Sequence, residues 1–203
     1  MDSMKKLVKG HHAFLENEHP KLKEEFVELA KGQAPEILLI TCSDSRVSPE
    51  LFLQHKPGEV FTIRNAGNIV PCCSNANLGD IGTIEFAVSV LGVKHIIVCG
   101  HSDCGAVKGM LNPEKLESLP HLHDWIVQSS SDFDIDEDGS LEAHIRQNVI
   151  NQLNHLNQYD FISGRIESKE LCLHGWIYDI ESSSIMAHNA KDEGWIPLSA
   201  PDL

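Results

Sequence analysis

The chain has 203 residues, of which 41% are hydrophobic and 23% charged, which suits one soluble globular domain with a sizeable buried core. Its 16 Lys and Arg residues face 30 Asp and Glu residues, and the resulting net charge of −14 argues against binding a nucleic-acid backbone or an anionic membrane. Neither an apolar run of roughly 18–20 residues nor a signal peptide is found, so we expect a cytoplasmic protein with reduced thiols.

The N-terminal residues 1–34 are predicted to form a helical arm of two amphipathic helices. The remaining residues, 35–203, alternate between strands and helices and predict an α/β core in a single domain. A continuous apolar run such as Ile37 to Thr41 is typical of a strand that is covered on both faces. The predicted strands are Ile37 to Thr41, Val60 to Arg64, His95 to Cys99 and Glu170 to Ile180, with a hairpin partner near Ser184 to His188.

Three helices are predicted between and after these strands. A short one begins at Ser48 and Pro49, and a longer one has its apolar face between Ile81 and Leu91 and stops at Gly92. The third has Val149, Ile150, Leu153 and Leu156 on one face.

Metal-ligating side chains follow the first and the third predicted strands. Cys42, Asp44 and Arg46 stand two apart directly after the first strand, so in extended chain they line one side. His101 and Cys104 stand three apart after the third strand, between two glycines that let the chain bend closely. Open α/β sheets bind ligands beyond the carboxyl ends of their strands, so the two stretches meet in one crevice if their strands are neighbours.

Two cysteines and one histidine suit zinc, and three protein ligands are typical of a catalytic rather than a structural zinc site. Arg46 can hold the Asp44 carboxylate by a bidentate pair. Two other interpretations remain open from the spacing alone: a reduced redox pair of cysteines, and ordinary packing in which Cys42 is a small buried hydrophobe. Zinc is favoured because both strand ends carry ligands and the second also carries flanking glycines.

The motifs together resemble β-class carbonic anhydrases. The matching stretches are C-S-D-S-R at 42–46, R-N-A-G-N at 64–68, G-H-S-D-C-G at 100–105, P-G-E at 57–59 and H-G-W-x-Y at 174–178. The resemblance implies one zinc ion per subunit on Cys42, His101 and Cys104. It implies reversible hydration of carbon dioxide to bicarbonate, with zinc-bound hydroxide as the nucleophile, Asp44 orienting it and Arg46 orienting Asp44.

The resemblance also implies a sheet order 2-1-3-4 with an added edge strand, and a homodimer or higher homo-oligomer. Details match the plant-like branch of the family. By that match Gln33 hydrogen-bonds the substrate, Phe61 and Phe86 form an apolar pocket, and Gly105 offers its backbone N–H to a substrate oxygen.

Two alternatives share these ligands. One is a hydrolase of carbon disulfide or carbonyl sulfide on the same fold, against which the Gln33 match favours carbon dioxide. The other is a non-catalytic zinc-binding scaffold protein, which the presence of both Asp44 and Arg46 disfavours.

Overall fold

The structure is a computed structural model, and it describes residues 2–72, 78–129, 133–136, 138–192 and 194–199, without the side chains of residues 128 and 129. The sequence predicts a polar, acidic loop at residues 129–140, and part of this stretch lies outside the described residues. The chain divides into two compact units, Met1–Ala34 and Pro35–Leu203. None of the described helices combines the length and the apolar composition that are needed to cross a bilayer.

The first unit consists of two helices, α1 (Ser3–Asn17) and α2 (His19–Leu29). The Asp2 carboxylate caps the first helix by accepting a 3.1 Å hydrogen bond from the Met4 backbone N–H. The rings of Phe14 and Phe26 lie 6.2 Å apart and join the two helices edge to face. The N-terminal helices that the sequence predicts are therefore present.

The second unit is built on a six-stranded sheet in the order β2-β1-β3-β4-β5-β6. The first four strands in this order run parallel to one another. Strand β5 runs antiparallel to β4, and β6 runs antiparallel to β5. The strands are β1 (Ile37–Cys42), β2 (Val60–Asn65), β3 (His95–His101), β4 (Cys172–Tyr178), β5 (Ile185–Asn189) and β6 (Gly194–Pro197).

The predicted order 2-1-3-4 is confirmed, but two antiparallel strands extend it where the sequence predicts one. The last strand, β6, has only four residues, with Trp195 and Ile196 as its apolar members. A segment this short is held by pairing with β5 and has no alternating pattern of its own to reveal it.

Within the described ranges of this unit, six helices accompany the sheet, together with a π-helical segment (Phe86–Leu91) and a 3-10 turn (Pro113–Leu116). The predicted helix between Ile81 and Leu91 is α4 continued by the π-helical segment, and it ends at Gly92, whose φ of 71° is left-handed as predicted. The helices are α3 (Pro49–Phe52), α4 (Leu78–Glu85), α5 (Gly105–Leu111), α6 (Pro120–Ser129), α7 (Leu141–Asn157) and α8 (Asp160–Glu167).

Both faces of the central strands are buried, which explains the continuous apolar run of β1. Leu38 and Ile40 point into the larger core beneath α7, while Leu39 points into a smaller core on the opposite face. The helix α7 approaches the sheet closely, because a Cβ on Gly100 would come within 2.8 Å of Val149 Cγ2. The sheet and α7 thus form a tightly packed base for the carboxyl ends of β1 and β3.

Candidate metal centre

Three potential metal ligands meet where β1 and β3 end. Cys42 is the last residue of β1, His101 is the last residue of β3, and Cys104 immediately precedes α5. The two strands are adjacent and parallel, so their carboxyl ends lie side by side. The ligand atoms of the three residues all lie within 4.8 Å of one another, and all three side chains are buried.

The His101 ring has one nitrogen available to a metal. Its Nδ1 lies 2.8 Å from the Ser102 carbonyl oxygen, which can only accept, so Nδ1 carries the hydrogen. Its Nε2 therefore keeps a free lone pair, and this buried atom has no hydrogen-bond partner among the residues that the structure describes. An unpaired buried nitrogen facing two thiols fits a metal ligand, because leaving such an atom without a partner otherwise costs free energy.

The two thiols share one negative charge. A hydrogen bond from Cys104 lowers the pKa of Cys42 to about 4, although burial opposes this. The same hydrogen bond, together with burial, raises the pKa of Cys104. A dication bound between the sulfur atoms would displace the remaining proton, because thiolates are the metal-binding form of cysteine.

Asp44 borders this cluster and is held by Arg46. Arg46 Nε and Nη2 donate to the two carboxylate oxygens at 3.0 and 2.8 Å, and the Arg46 backbone N–H donates to Oδ1 at 2.9 Å. The guanidinium holds the pKa of Asp44 well below its usual range. Asp44 Oδ2 lies 3.9 Å from His101 Nε2, so an ionised carboxylate stands next to the buried imidazole.

The segment that carries Asp44 is not extended, in contrast to the prediction. The chain leaves the strand after Cys42 and turns, with the Val47 N–H donating to the Asp44 carbonyl oxygen at 3.0 Å. The turn results from the bond between the Asp44 side chain and the Arg46 backbone, which bends the chain on itself. Arg46 is therefore placed against Asp44 by the turn rather than by alternation along a strand.

A second arginine, Arg64, fixes the same turn from the neighbouring strand β2. It donates to the carbonyl oxygens of Cys42, Asp44 and Val47 at 3.1, 2.9 and 2.7 Å. The motif at 64–68 includes this residue, but the sequence gives no sign that it binds three carbonyl groups of the turn.

The remaining predicted site residues are placed differently. Gly105 is the first residue of α5, directly after Cys104, and a Cβ added there would meet nothing within 4 Å. Phe61 and Phe86 form a pair with ring centroids 6.1 Å apart. Phe61 is in register with Leu38, four residues before Cys42, which corresponds to about 13 Å along the strand. The structure therefore does not bring this pair to the ligand cluster of its own chain, and Gln33 belongs to the N-terminal unit.

Comparison with known proteins gives a consistent result. A family model described as carbonic anhydrase matches residues 37–185, which include all three ligand positions and the Asp44–Arg46 pair. A carbonic anhydrase of Pseudomonas aeruginosa is 40% identical over 203 residues, covering 97% of this chain and 92% of the relative. A carbonic anhydrase of Synechococcus elongatus is 38% identical over 192 residues, covering 90% of this chain and 71% of the relative.

Solved structures agree with these relatives. The β-carbonic anhydrase CcaA superposes with a TM-score of 0.92 at 36% identity, covering 98% of this chain and 94% of that chain. One of two tetrameric β-carbonic anhydrases from Sordaria macrospora superposes with a TM-score of 0.74 at 31% identity, covering 92% and 97% of the two chains.

Proposed function

This chain belongs to the β-carbonic anhydrase family, and on that premise we propose that it catalyses the reversible hydration of carbon dioxide to bicarbonate and a proton with one zinc ion per subunit. The observation that carries the proposal is the buried Cys42–His101–Cys104 group, whose imidazole Nε2 has no hydrogen-bond partner in the described part of the chain. Two thiolates and a neutral imidazole would hold zinc and leave its fourth position to water. Bound zinc supplies acidity, lowering the pKa of that water so that a nucleophile exists near neutral pH.

Asp44 orients the attacking water. Its carboxylate remains ionised beside Arg46, so it can only accept a hydrogen bond, and its Oδ2 faces the ligand cluster at 3.9 Å from His101 Nε2. By accepting the water's hydrogen it turns an oxygen lone pair toward the carbon of carbon dioxide. A C–O bond forms, the electron pair of one C=O bond moves to its oxygen, and a proton leaves to solvent.

Arg46 is a positioning residue in this scheme. The Arg46 guanidinium donates to both carboxylate oxygens of Asp44, which would keep Asp44 from coordinating the metal. The guanidinium is itself held by Asp103, whose Oδ2 lies 2.9 Å from Nη1. Asp103 is in turn paired with Lys108. The Asp44 carboxylate is therefore fixed by a row of alternating charges at the rim of the site.

Binding of the apolar substrate involves Gly105, Gln33, Phe61 and Phe86, as in the plant-like branch. Gly105 would offer its backbone N–H next to Cys104, and a Cβ added to this residue would meet nothing within 4 Å. The phenylalanine pair lies about 13 Å along the strands from Cys42 of the same chain, so we propose that it serves a site completed by a second copy. A homodimer or larger homo-oligomer is consistent with the tetrameric relative from Sordaria macrospora.

The arrangement of the chain and its location complete the proposal. Residues 35–203 would form the catalytic core of a single domain, and residues 1–34 its helical arm. A cytoplasmic location follows from the need to keep Cys42 and Cys104 reduced, and fractionation of cells with an antibody to the protein tests it.

The proposal is tested by zinc content and stopped-flow hydration of carbon dioxide. Cys42→Ser should lose most bound zinc and activity together, because the hydroxyl is a poor replacement for a thiolate ligand. Cys172→Ser is the matched control, since Cys172 is an exposed cysteine outside the cluster, and it should retain both. Full turnover in metal-free protein would exclude the mechanism. Turnover of carbonyl sulfide or carbon disulfide without hydration of carbon dioxide would establish the rival hydrolase.

A further inference from the structure

The segment 66–71, which follows β2, lies against Cys42 and is bound almost entirely by side chains. Gly67 donates its backbone N–H to Cys42 Sγ at 3.5 Å. Its φ is +90°, and a Cβ at this position would come within 2.8 Å of Ala106 Cβ on α5. Only glycine can therefore place this amide between Cys42 and the first turn of the helix that follows Cys104.

The peptide group that carries this N–H is bound at its other end. Trp125 of α6 donates its indole Nε1–H to the Ala66 carbonyl oxygen at 2.9 Å. The carbonyl of Ala66 and the N–H of Gly67 belong to one planar peptide, so a donor on the oxygen fixes the direction of the N–H and polarises it toward the sulfur. Trp125, the 66–67 peptide and Cys42 thus form a continuous hydrogen-bond relay.

The next carbonyl of the segment is bound by a polar stripe on α7. Asn148 donates its amide to the Gly67 carbonyl oxygen at 3.1 Å, and its own oxygen accepts from Gln152 at 2.9 Å. Gln152 accepts the Val70 N–H at 2.7 Å. Both amide side chains are 1% exposed, and the two backbone anchors allow only one orientation of the pair.

The end of the segment is bound by Tyr159, the residue that directly precedes α8. Tyr159 donates its hydroxyl to the Pro71 carbonyl oxygen at 2.7 Å, four residues after Gly67. This bond contributes to anchoring the segment but does not reach the 66–67 peptide. It offers a natural comparison, because it too is a single side-chain donor to a backbone carbonyl.

We propose that Trp125 is a positioning residue for the metal centre, which aims the Gly67 N–H at the Cys42 sulfur through the 66–67 peptide, with Asn148 fixing the opposite side of Gly67. The inference rests on the proposed zinc site. A thiolate that accepts this hydrogen bond donates less charge to a bound metal and is held in the ligating position. The role therefore concerns the strength and lifetime of the metal–sulfur bond, beyond the ligand set itself.

The test replaces the metal with cobalt(II), whose thiolate-to-metal charge-transfer band reports on the sulfur donors directly. Trp125→Phe keeps an aromatic ring and removes the donor, and Asn148→Leu keeps a branched side chain of similar shape and removes the second bond. We expect both variants to move the band to longer wavelength, because an unshielded sulfur lone pair is higher in energy. We also expect each to lose zinc to a chelator about tenfold faster than wild type, because the sulfur is no longer held in the ligating position and this outweighs its stronger donation.

Tyr159→Phe is the matched control, and it should keep the wild-type band and chelation rate even if its melting temperature falls. A wild-type band in Trp125→Phe, or an equal displacement in Tyr159→Phe, would overturn the role of Trp125. If Asn148→Leu fails to fold, Trp125→Phe alone decides. Wild-type protein that binds no cobalt would instead contradict the proposed zinc site, and the relay with it.

Discussion

At the scale of the residue, Asp44 is defined by its neighbours more than by its own chemistry. A carboxylate beside two thiols would ordinarily be a candidate fourth ligand. Here Arg46 binds both of its oxygens, and Arg64 holds the backbone of the same turn by three carbonyl groups. The carboxylate is thus kept ionised and next to the cluster, as its proposed action on a water molecule requires.

Asp44→Asn should therefore retain zinc and lose turnover. The amide oxygen is a weaker acceptor and its NH2 group presents a donor, so we expect kcat for hydration to fall by about a hundredfold at neutral pH. Stopped-flow kinetics with parallel measurement of zinc content checks this.

Asp103→Asn is the appropriate control for that change. Asp103 also pairs with Arg46, but its own contacts run to Lys108 and not to the ligand cluster. We expect a clearly smaller effect on kcat. Equal losses in the two variants would show that charge at the rim, and not the position of Asp44, sets the rate.

At the scale of the element, α7 packs on the sheet with an apolar face and binds the segment 66–71 with a polar face. The apolar residues predicted from its periodicity include Val149, which packs on the sheet. The polar residues on the same helix, such as Asn148 and Gln152, would be expected to face solvent from their type alone, yet they are buried on the segment 66–71. The polar face of α7 contacts Gly67, which lies beside Cys42. The apolar face contacts Gly100, which precedes His101, so α7 contacts residues next to two of the candidate ligands.

Two glycine substitutions should have opposite effects on stability, because only one of the two residues, Gly100, packs against α7. Gly100→Ala should lower the free energy of unfolding by about 1–3 kcal/mol, because its Cβ would meet Val149 Cγ2 at 2.8 Å. Gly164→Ala lies in the exposed interior of α8, where an added Cβ meets nothing within 4 Å, and should raise stability by about 0.5–1 kcal/mol. Denaturant unfolding of the metal-loaded proteins checks both. A stable Gly100→Ala protein would mean that α7 can move away from β3.

The meeting of Cys42, His101 and Cys104 could be predicted because each of them ends or follows a strand whose apolar run is plain. That β1 and β3 are neighbours is implied by the resemblance to β-carbonic anhydrases, and the structure shows it. The role of Trp125 could not be predicted, because its partner Ala66 is 59 residues away and is bound through a backbone oxygen that no sequence pattern marks. The same reason hides the three carbonyl partners of Arg64.

At the scale of the whole molecule, apolar side chains are exposed on α4 and on the π-helical segment that continues it. Leu78 is 85% exposed and Val90 is 68% exposed, and Phe86, at 41%, packs near Phe61 of the edge strand β2. Large exposed apolar residues grouped in this way mark interaction surfaces. Because Phe61 also stands away from the cluster of its own chain, we expect this side of the molecule to meet a second copy.

Val90→Glu should therefore reduce the mass of the assembly in solution, as measured by light scattering after gel filtration. Activity should fall with it, since the phenylalanine pair would no longer serve a neighbouring site. Leu119→Glu introduces the same charge at a residue that is 50% exposed and directly precedes α6, and it should leave mass and activity unchanged. A fully active monomer would rule out a shared site.

The two borders of the sheet differ in their capacity to recruit another strand. At one border stands β2, which is six residues long and whose Phe61 packs near Phe86. At the other stands β6, four residues long and ending in Pro197, which has no backbone N–H to offer an incoming chain. Because the two edges differ in this way, an incoming strand can be added to each subunit only at the β2 edge. We therefore expect association to terminate in closed, symmetric particles rather than to propagate as fibres at high concentration.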